Sequence, residues 1–224
     1  MAAMIVGWTW GIAPAMAQKP PLNWGDRLEN PAIPKLDCTS VTPSSYYGHL
    51  PYTEAPRDEL VSVGNGERLR QSAAASFRRM QAAAAEVGIE LVPLSGFRDR
   101  AVQNSLFYDV AAQRGQSLSE RARTSAPPGY SEHHTGYAID IGDGYDPGGD
   151  LNQSFAYTDA GRWLFANAGK YGFELSFPSG VTCVSYEPWH WRWVGDPDSE
   201  QTFQTARDLY RDHRIGQLDE GNFK

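Results

Sequence analysis

Two short segments hold side chains suited to binding one metal ion, and they constrain the fold more than any other feature of the chain. The first is SEHHTGYAID at 131–140 and the second is EPWHW at 187–191. Together they supply two imidazoles and one carboxylate, from His133, Asp140 and His190. A catalytic zinc ion takes three such ligands and keeps a fourth position open. The fold is therefore expected to bring these distant segments together.

Gly136 makes this convergence possible. In an unbroken strand, His133 and Asp140 would point to opposite faces because they are separated by an odd number of residues. Gly136 can break the strand, so that His133 lies on a loop and Asp140 lies within the strand. Ala138 then shares the face of Asp140 and leaves room beside the metal, while the isoleucines flanking Asp140 face the core.

Glu187 precedes His190 by three residues, and Pro188 favours a bend that would bring both side chains to one site. A carboxylate there could act as a general base towards water at the metal. Imidazole ligands favour zinc over magnesium, and His134 is a weaker candidate ligand than His133. Each residue also has a structural alternative: a Glu–His hydrogen bond, a surface histidine pair, or an aspartate that caps a turn.

Length and charge limit the number of domains and the kinds of partner that the chain can have. The chain has 224 residues, 41% of them hydrophobic, which suits one domain with some additional sequence. Its net charge is −7 and it has no run of Lys or Arg, so we expect no nucleic-acid partner. Oligomeric state is not indicated by the sequence.

The chain divides into four predicted regions. Residues 1–17 contain a short apolar run that ends in a small-x-small pattern, which predicts a signal peptide or a retained N-terminal anchor associated with a membrane. Residues 18–65 are an irregular linker and arm rich in Pro and Gly. Residues 66–213 form the domain, and 214–224 a tail. An exported protein in the periplasm or cell envelope is expected.

Hydrophobic periodicity predicts an α+β fold, a small antiparallel β-sheet with helices packed around it. Helices are expected over 67–87, 100–114, 118–124, 159–171 and 198–213, and strands over 89–97 and 135–142. FELSF and VTCVSY, joined by PSG, predict a hairpin. Cys38 and Cys183 are either a disulfide that fastens the arm to the domain or two buried thiols.

These residues resemble the VanY-type D-alanyl-D-alanine carboxypeptidases, zinc peptidases related to VanX, lysostaphin and the hedgehog amino-terminal domain. The family pattern S-x-H-x-x-G-x-A-x-D followed by E-x-x-H is present from Ser131 to Asp140 and from Glu187 to His190. An S-G-[YF]-R element stands at 95–98, with a glutamine on the next helix at 103. The resemblance runs from about Glu67 to Gly195 and implies a zinc site in a cleft on the sheet.

The resemblance also implies roles for individual residues. His133, Asp140 and His190 would bind Zn²⁺, and the site residues around them would be catalytic Glu187 and Arg98 and substrate-binding Ser131 and Gln103. Arg98 would stabilise the oxyanion or hold the substrate. The alternatives are a surface salt bridge of Arg98 with Asp99 or Asp109, a turn hydrogen bond of Ser131, and a solvated helix face for Gln103.

The substrate implied is a peptidoglycan stem peptide, from which the terminal D-alanine would be removed. The same site also suits an L,D-carboxypeptidase or a peptidoglycan endopeptidase. A non-catalytic zinc-containing module that binds peptidoglycan is a further alternative of another class. Glu187 and Arg98 argue against that module, since a binding protein has no need of a base.

Overall fold

The computed structural model describes Cys38, Val41–Thr42 and residues 44–179 and 183–219, with side chains up to Leu209 in the last range. These residues belong to one compact unit, Pro34–Lys224. The predicted signal peptide or anchor at 1–17 and much of the predicted linker lie outside the described residues. No helix in the described ranges combines the length and apolarity needed to cross a membrane.

Two hairpins come first in the described chain. Strand β1 (Val41–Thr42) pairs with β2 (Ser45–Tyr46), and β3 (Leu60–Gly64) pairs with β4 (Glu67–Arg70). The second hairpin spans the boundary predicted at residues 65 and 66. Leu60 and Val63 are buried, so the end of the predicted arm packs into the core.

Helix α1 (Gln71–Ala85) follows β4 directly. The helix predicted over 67–87 was therefore wrong at its start, where residues 67–70 form β4. A helical and an extended backbone both bury Leu69, so the apolar pattern did not separate them, and pairing with β3 selects the strand. Val87 is 64% exposed because the helix has already ended.

A four-stranded antiparallel sheet positions the site. Its strands are β5 (Leu91–Ser95), β6 (Ala138–Asp143), β7 (Phe173–Leu175) and β8 (His190–Trp193), in the order β5-β6-β8-β7. The register places Asp140 on β6 opposite His190 on β8 and opposite Ser95 on β5. Ile139 and Ile141 point the other way, into a core shared with Phe77 of α1.

The predicted hairpin of FELSF and VTCVSY was wrong. Strand β7 pairs with β8 instead, and residues 183–186 form no strand. The turn residues between the two segments suggested a local pairing, but the extended stretch at 190–193 supplies a longer antiparallel partner at the centre of the sheet. Long-range pairing of this kind is not visible in a local pattern.

The helix predicted over 100–114 is interrupted by a π-helical turn. It consists of α2 (Arg100–Asn104), a π-helical segment at Ser105–Asp109 and α3 (Val110–Arg114). Val102, predicted on its apolar side, is 52% exposed, whereas Gln103 is fully buried. The side chain of Gln103 occupies this inward position because its amide group forms hydrogen bonds with Arg98 and with the carbonyl of Ala126.

Of the remaining helices, the first two follow the predictions closely, whereas the last extends to Asp219, beyond its predicted end at residue 213 and into the predicted tail. They are α4 (Leu118–Ala122), α5 (Asp159–Asn167), which continues as a 3₁₀ turn to Tyr171, and α6 (Pro197–Asp219). Helix α4 begins with a capping box formed by Ser117 and Glu120. Cys38 and Cys183 form a disulfide, which is the first of the two alternatives that the sequence left open. The fold class is α+β, with helices packed around a small antiparallel sheet, as expected.

Candidate metal centre and groove

His133, Asp140 and His190 converge in the structure as the sequence predicts. One ligand-type atom from each lies within 4.8 Å of the others, and all three side chains are buried. His133 Nε2 lies 3.3 Å from Asp140 Oδ2, and His190 Nδ1 lies 2.9 Å from Asp140 Oδ1. The three donors therefore surround a single small volume.

The backbone before β6 explains how His133 reaches this volume. His133 lies in a 3₁₀ turn, Glu132–Thr135, which ends at Gly136 in the left-handed conformation with φ of 68°. Glycine adopts this conformation without steric cost. Strand β6 starts only at Ala138, so the break that the sequence predicts at Gly136 is present, with the strand starting later than expected.

A tight turn brings Glu187 to the same site. The amide of His190 donates to the carbonyl of Glu187 at 3.1 Å, with Pro188 at the bend between them. Glu187 Oε2 then lies 4.0 Å from His190 Nδ1. The predicted bend is thus present, and a carboxylate stands beside the cluster of three donors without belonging to it.

Each histidine has its second ring nitrogen held by a fixed acceptor. His133 Nδ1 donates to the carbonyl of Gly96 at 2.7 Å. His190 Nε2 donates to Glu132 Oε2 at 3.1 Å. These bonds leave His133 Nε2 and His190 Nδ1 facing Asp140, so these are the two nitrogens that would coordinate a metal in place of their contacts with Asp140.

Glu132 is the site residue that sequence reasoning missed. Its carboxylate is buried and also accepts from Arg192 Nη1 at 3.0 Å and from Ser176 Oγ at 2.5 Å. Arg192 in turn donates to Glu174 at 2.8 Å. The sequence signal for this role was a charged residue placed between Ser131 and His133 in a motif whose other members are buried. The partners of Glu132 can be identified only from the fold.

Arg98 faces the cluster. Its Nη2 lies 3.9 Å from Asp140 Oδ2 and donates to Ser95 Oγ at 2.7 Å, while Nη1 donates to Gln103 Oε1 at 2.8 Å. The neighbouring Asp99 pairs with Arg57 instead and caps α2. Among the described residues, Arg98 therefore forms a salt bridge with neither Asp99 nor Asp109, the two alternatives from the sequence.

Ser131 and Gln103 differ in their relation to the open space. Ser131 is buried and lines the cavity over the three candidate metal ligands. Gln103 does not line it, because its amide donates to Ala126 O at 2.5 Å and its oxygen accepts from Arg98. The contact of Gln103 with a peptide stays a prediction. The hydrogen bond that Gln103 accepts from Arg98 helps to orient the guanidinium group of Arg98.

Burial and neighbouring charges separate the pKa values of the site residues. Burial raises the pKa of Glu187 to about 8, helped by Asp140 and Glu132. Burial lowers the pKa of His133 to about 4, although the negative charge of Asp140 acts to raise it. Burial alone would raise the pKa of Glu132, but Arg192 and His190 lower it to about 2. Glu187 is thus the carboxyl group most suited to exchanging a proton near neutral pH.

The donor set fits zinc. A tetrahedral ion with ligand distances of about 2.0–2.2 Å separates its ligand atoms by about 3.4 Å, close to the 3.3 and 2.9 Å seen around Asp140. Two imidazoles and one carboxylate are ligands that zinc accepts. His134 is excluded as a further ligand, since Nδ1 lies 2.6 Å from the carbonyl of Arg98 and Nε2 accepts from the amide of Gly129.

A groove of about 600 Å³ opens over the cluster. The predicted site residues that line it are Arg98, Ser131, His133, Asp140, Glu187 and His190. One wall follows the disulfide and consists of residues 184–187, and His49 from the predicted arm contributes to another. The groove is large enough for several residues of a peptide.

Comparisons with known proteins agree with this geometry. The sequence model of the VanY family, D-alanyl-D-alanine carboxypeptidase, matches residues 66–196. The YodJ protein of Bacillus subtilis (strain 168) is 38% identical over 130 residues, which cover 57% of this chain and 46% of YodJ. The chain therefore matches less than half of the length of that relative.

Two solved structures share the fold. The LdcB LD-carboxypeptidase is 33% identical with a TM-score of 0.58, covering 72% of this chain and 78% of that chain. A variant of the D,D-pentapeptidase VanY from a VanB-type resistance cassette, solved with Zn(II), is 25% identical with a TM-score of 0.52, covering 69% and 92%. Since the VanY model matches more than half of the sequence, the chain belongs to the VanY D-alanyl-D-alanine carboxypeptidase family.

Proposed function

We propose that the protein is a zinc-dependent carboxypeptidase that removes the terminal D-alanine from peptidoglycan stem peptides. The observation that carries the proposal is the convergence of the three buried donors with Glu187 and Arg98 in the lining of one groove. Membership of the VanY family supports the reaction and the class of substrate.

The residues divide the chemical work. His133, Asp140 and His190 would hold zinc, which supplies a Lewis acid that polarises the scissile carbonyl and acidifies water. Glu187 takes a proton from the attacking water and passes it to the leaving amine, a role that suits its raised pKa. Arg98 is held by Ser95 and Gln103 with its guanidinium near Asp140, where it can stabilise negative charge on the carbonyl oxygen.

Two other cleavage specificities use the same residues. The similarity to LdcB, an LD-carboxypeptidase, supports L,D-carboxypeptidase activity as the second candidate, and endopeptidase activity would need a groove open at both ends. A non-catalytic module that binds peptidoglycan is less favoured, because it does not require a carboxyl group with a raised pKa beside the metal ligands.

We propose that the protein acts outside the cytoplasm, in the periplasm or cell envelope. The Cys38–Cys183 disulfide supports this location, since such bonds persist in oxidising compartments. Stem peptides are exposed there as well. Fractionation of cells that express the full chain would test the location.

The activity is tested by incubating the zinc-loaded protein separately with UDP-muramyl pentapeptide and UDP-muramyl tetrapeptide and analysing the products by mass spectrometry. Release of a single D-alanine from the pentapeptide is expected. Cleavage only of the tetrapeptide would support L,D-carboxypeptidase activity, internal cleavage an endopeptidase, and binding without release the non-catalytic module.

Substitution of the base provides the matched variant. Glu187→Ala is expected to reduce turnover by at least about a hundredfold while zinc content is retained, because the residue is not among the three donors. Glu86→Gln, at an exposed position after α1, is the control. If Glu187→Ala retains full turnover, Glu187 is not the base.

A further inference from the structure

Two arginines line the groove without a carboxylate partner. Arg121 is 8% exposed, Arg114 is exposed, and both side chains line the cavity that also contains the three candidate metal ligands. Within the described part of the chain, neither forms an ion pair. A cation held in a groove with little exposure is costly unless an anion compensates it, so this end of the groove favours a negatively charged ligand.

The contacts of Arg121 leave its charge uncompensated. Its Nε and Nη2 donate to the carbonyl of Leu106 at 3.1 and 2.7 Å, and Nη1 donates to Thr124 Oγ1 at 3.3 Å. Both acceptors are neutral. Leu106 lies in the π-helical turn and lines the same groove, so the bonds fix the guanidinium in place without neutralising it.

A neighbouring amide adds a second unsatisfied group. The side-chain oxygen of Gln116 is buried and has no hydrogen-bond partner among the described residues, and Gln116 also lines the groove. Since the oxygen and nitrogen of an amide can exchange by rotation, this side chain can donate to an anion or accept from a peptide N–H. Three polar side chains of the groove lining are thus available to a ligand.

The acids of the groove do not fill this role. Asp140 is engaged by the two histidines and Glu132 by Arg192. Glu187 acts on Arg121 electrostatically but forms no ion pair with it. The positive end of the groove is therefore open to an anion from outside the protein, and a guanidinium binds a carboxylate with two parallel hydrogen bonds.

We infer that Arg121, Arg114 and Gln116 form a subsite for a second carboxylate of the peptide substrate, distinct from the one at the cleaved end. The inference rests on the proposed function for its substrate class. In a stem peptide, the free carboxylate of the γ-linked D-glutamyl residue provides such a group. The subsite would make the protein select peptides that carry this carboxylate over peptides in which it is a carboxamide.

Binding of two matched stem pentapeptides tests the subsite. They differ only in a carboxylate or a carboxamide at the D-glutamyl residue and share the D-Ala-D-Ala end. Calorimetry with the zinc-loaded Glu187→Ala protein avoids turnover. The carboxylate peptide is expected to bind about tenfold more tightly. Equal affinities, or no binding of either peptide, would overturn the inference.

Three variants locate the effect. Arg121→Gln and Arg114→Gln should each bring the two affinities closer together by weakening only the carboxylate peptide. Arg114 is exposed, so its replacement keeps the test valid even if loss of the Arg121–Leu106 bonds disturbs folding. Arg123→Gln is the control, because Arg123 is exposed at the end of α4 and does not line the groove.

A uniform loss of affinity for both peptides in the arginine variants would assign them a structural role and overturn the subsite. The difference in affinity between the two peptides can be measured whether or not the protein cleaves them. If wild-type protein releases no D-alanine but prefers the carboxylate peptide, the proposed function fails and the subsite stands.

Discussion

Glu132 lies behind the three candidate ligands and holds one of them. It accepts from His190 Nε2 and is itself held by Arg192 and Ser176. A carboxylate at this position fixes the ring of the histidine and increases the basicity of the nitrogen that faces the metal. The role differs from that of Glu187, which approaches His190 from the side of the groove.

Replacement of Glu132 by glutamine should therefore weaken zinc binding. We expect the affinity to fall by about 10–100-fold, because the amide can still accept a hydrogen bond but carries no charge. Competition with a chromogenic chelator measures the affinity directly, without reference to activity. Glu86→Gln serves again as the exposed control, and an unchanged affinity in Glu132→Gln would show that the carboxylate does not tune the site.

The raised pKa of Glu187 has a consequence for stability in the metal-free protein. Burial raises this pKa from 4.5 to about 8, so folding favours the protonated acid. No penalty is expected below pH 4.5, and the penalty grows as pH rises and is complete above about 8. Glutamine resembles the protonated acid and avoids the penalty.

Metal-free Glu187→Gln should thus be more stable than the wild type at pH 9, by at least about 1 kcal/mol, and equally stable near pH 4.5. Urea unfolding at the two pH values in the presence of a chelator measures the difference. A stability difference that is independent of pH would mean that Glu187 ionises normally in the folded state.

At the scale of elements, the close contact between β4 and the loop after β5 supports His133. The amide of Phe97 donates to the carbonyl of Arg68 at 2.7 Å, while the carbonyl of Gly96 accepts from His133. A Cβ at position 96 would lie 2.4 Å from Arg68 O. Glycine is therefore required here by the approach of two backbone segments, and the SGFR element contributes more than its arginine.

Gly96→Ala should force β4 and the loop apart. We expect a loss of about 1–3 kcal/mol in the free energy of unfolding, together with weaker zinc binding, because the acceptor for His133 moves. Gly169→Ala is the matched control, since a Cβ there meets nothing within 4 Å. If both variants unfold at the same urea concentration, the close approach of the two backbone segments at Gly96 does not require glycine.

The same elements explain what the sequence could predict. The odd spacing of His133 and Asp140 required a break, and Gly136 supplied it, so the local geometry of the site followed from periodicity. The pairing of β7 with β8 and the identity of residues 67–70 as β4 depend on partners distant in the chain. Such pairings lie beyond a local pattern, as do the partners of Glu132.

At the scale of the molecule, the disulfide connects the N-terminal arm to a wall of the groove. Cys183 is bonded to Cys38 across 145 residues and is followed by the groove-lining residues 184–187. The amide of Ser185 also donates to the carbonyl of Arg123 at 2.8 Å. The wall that carries Glu187 is thus held by the disulfide and by backbone hydrogen bonds, including one from the amide of Glu187 to the carbonyl of Phe177 at 3.2 Å. Of the three candidate ligands, His133 and Asp140 lie on other segments, and His190 is held within β8.

Loss of the disulfide should destabilise the protein more than it disturbs the metal site. Closing so long a loop contributes about 4–5 kcal/mol in the chain-entropy description, and measured values are often smaller. The double variant Cys38→Ser/Cys183→Ser is therefore expected to lose about 2–5 kcal/mol in urea unfolding, with unchanged zinc affinity and a higher KM for the peptide. Reductant should lower the stability of the wild type and leave the double variant unaffected. If zinc affinity falls as steeply as stability, the disulfide supports the metal centre itself rather than the groove wall.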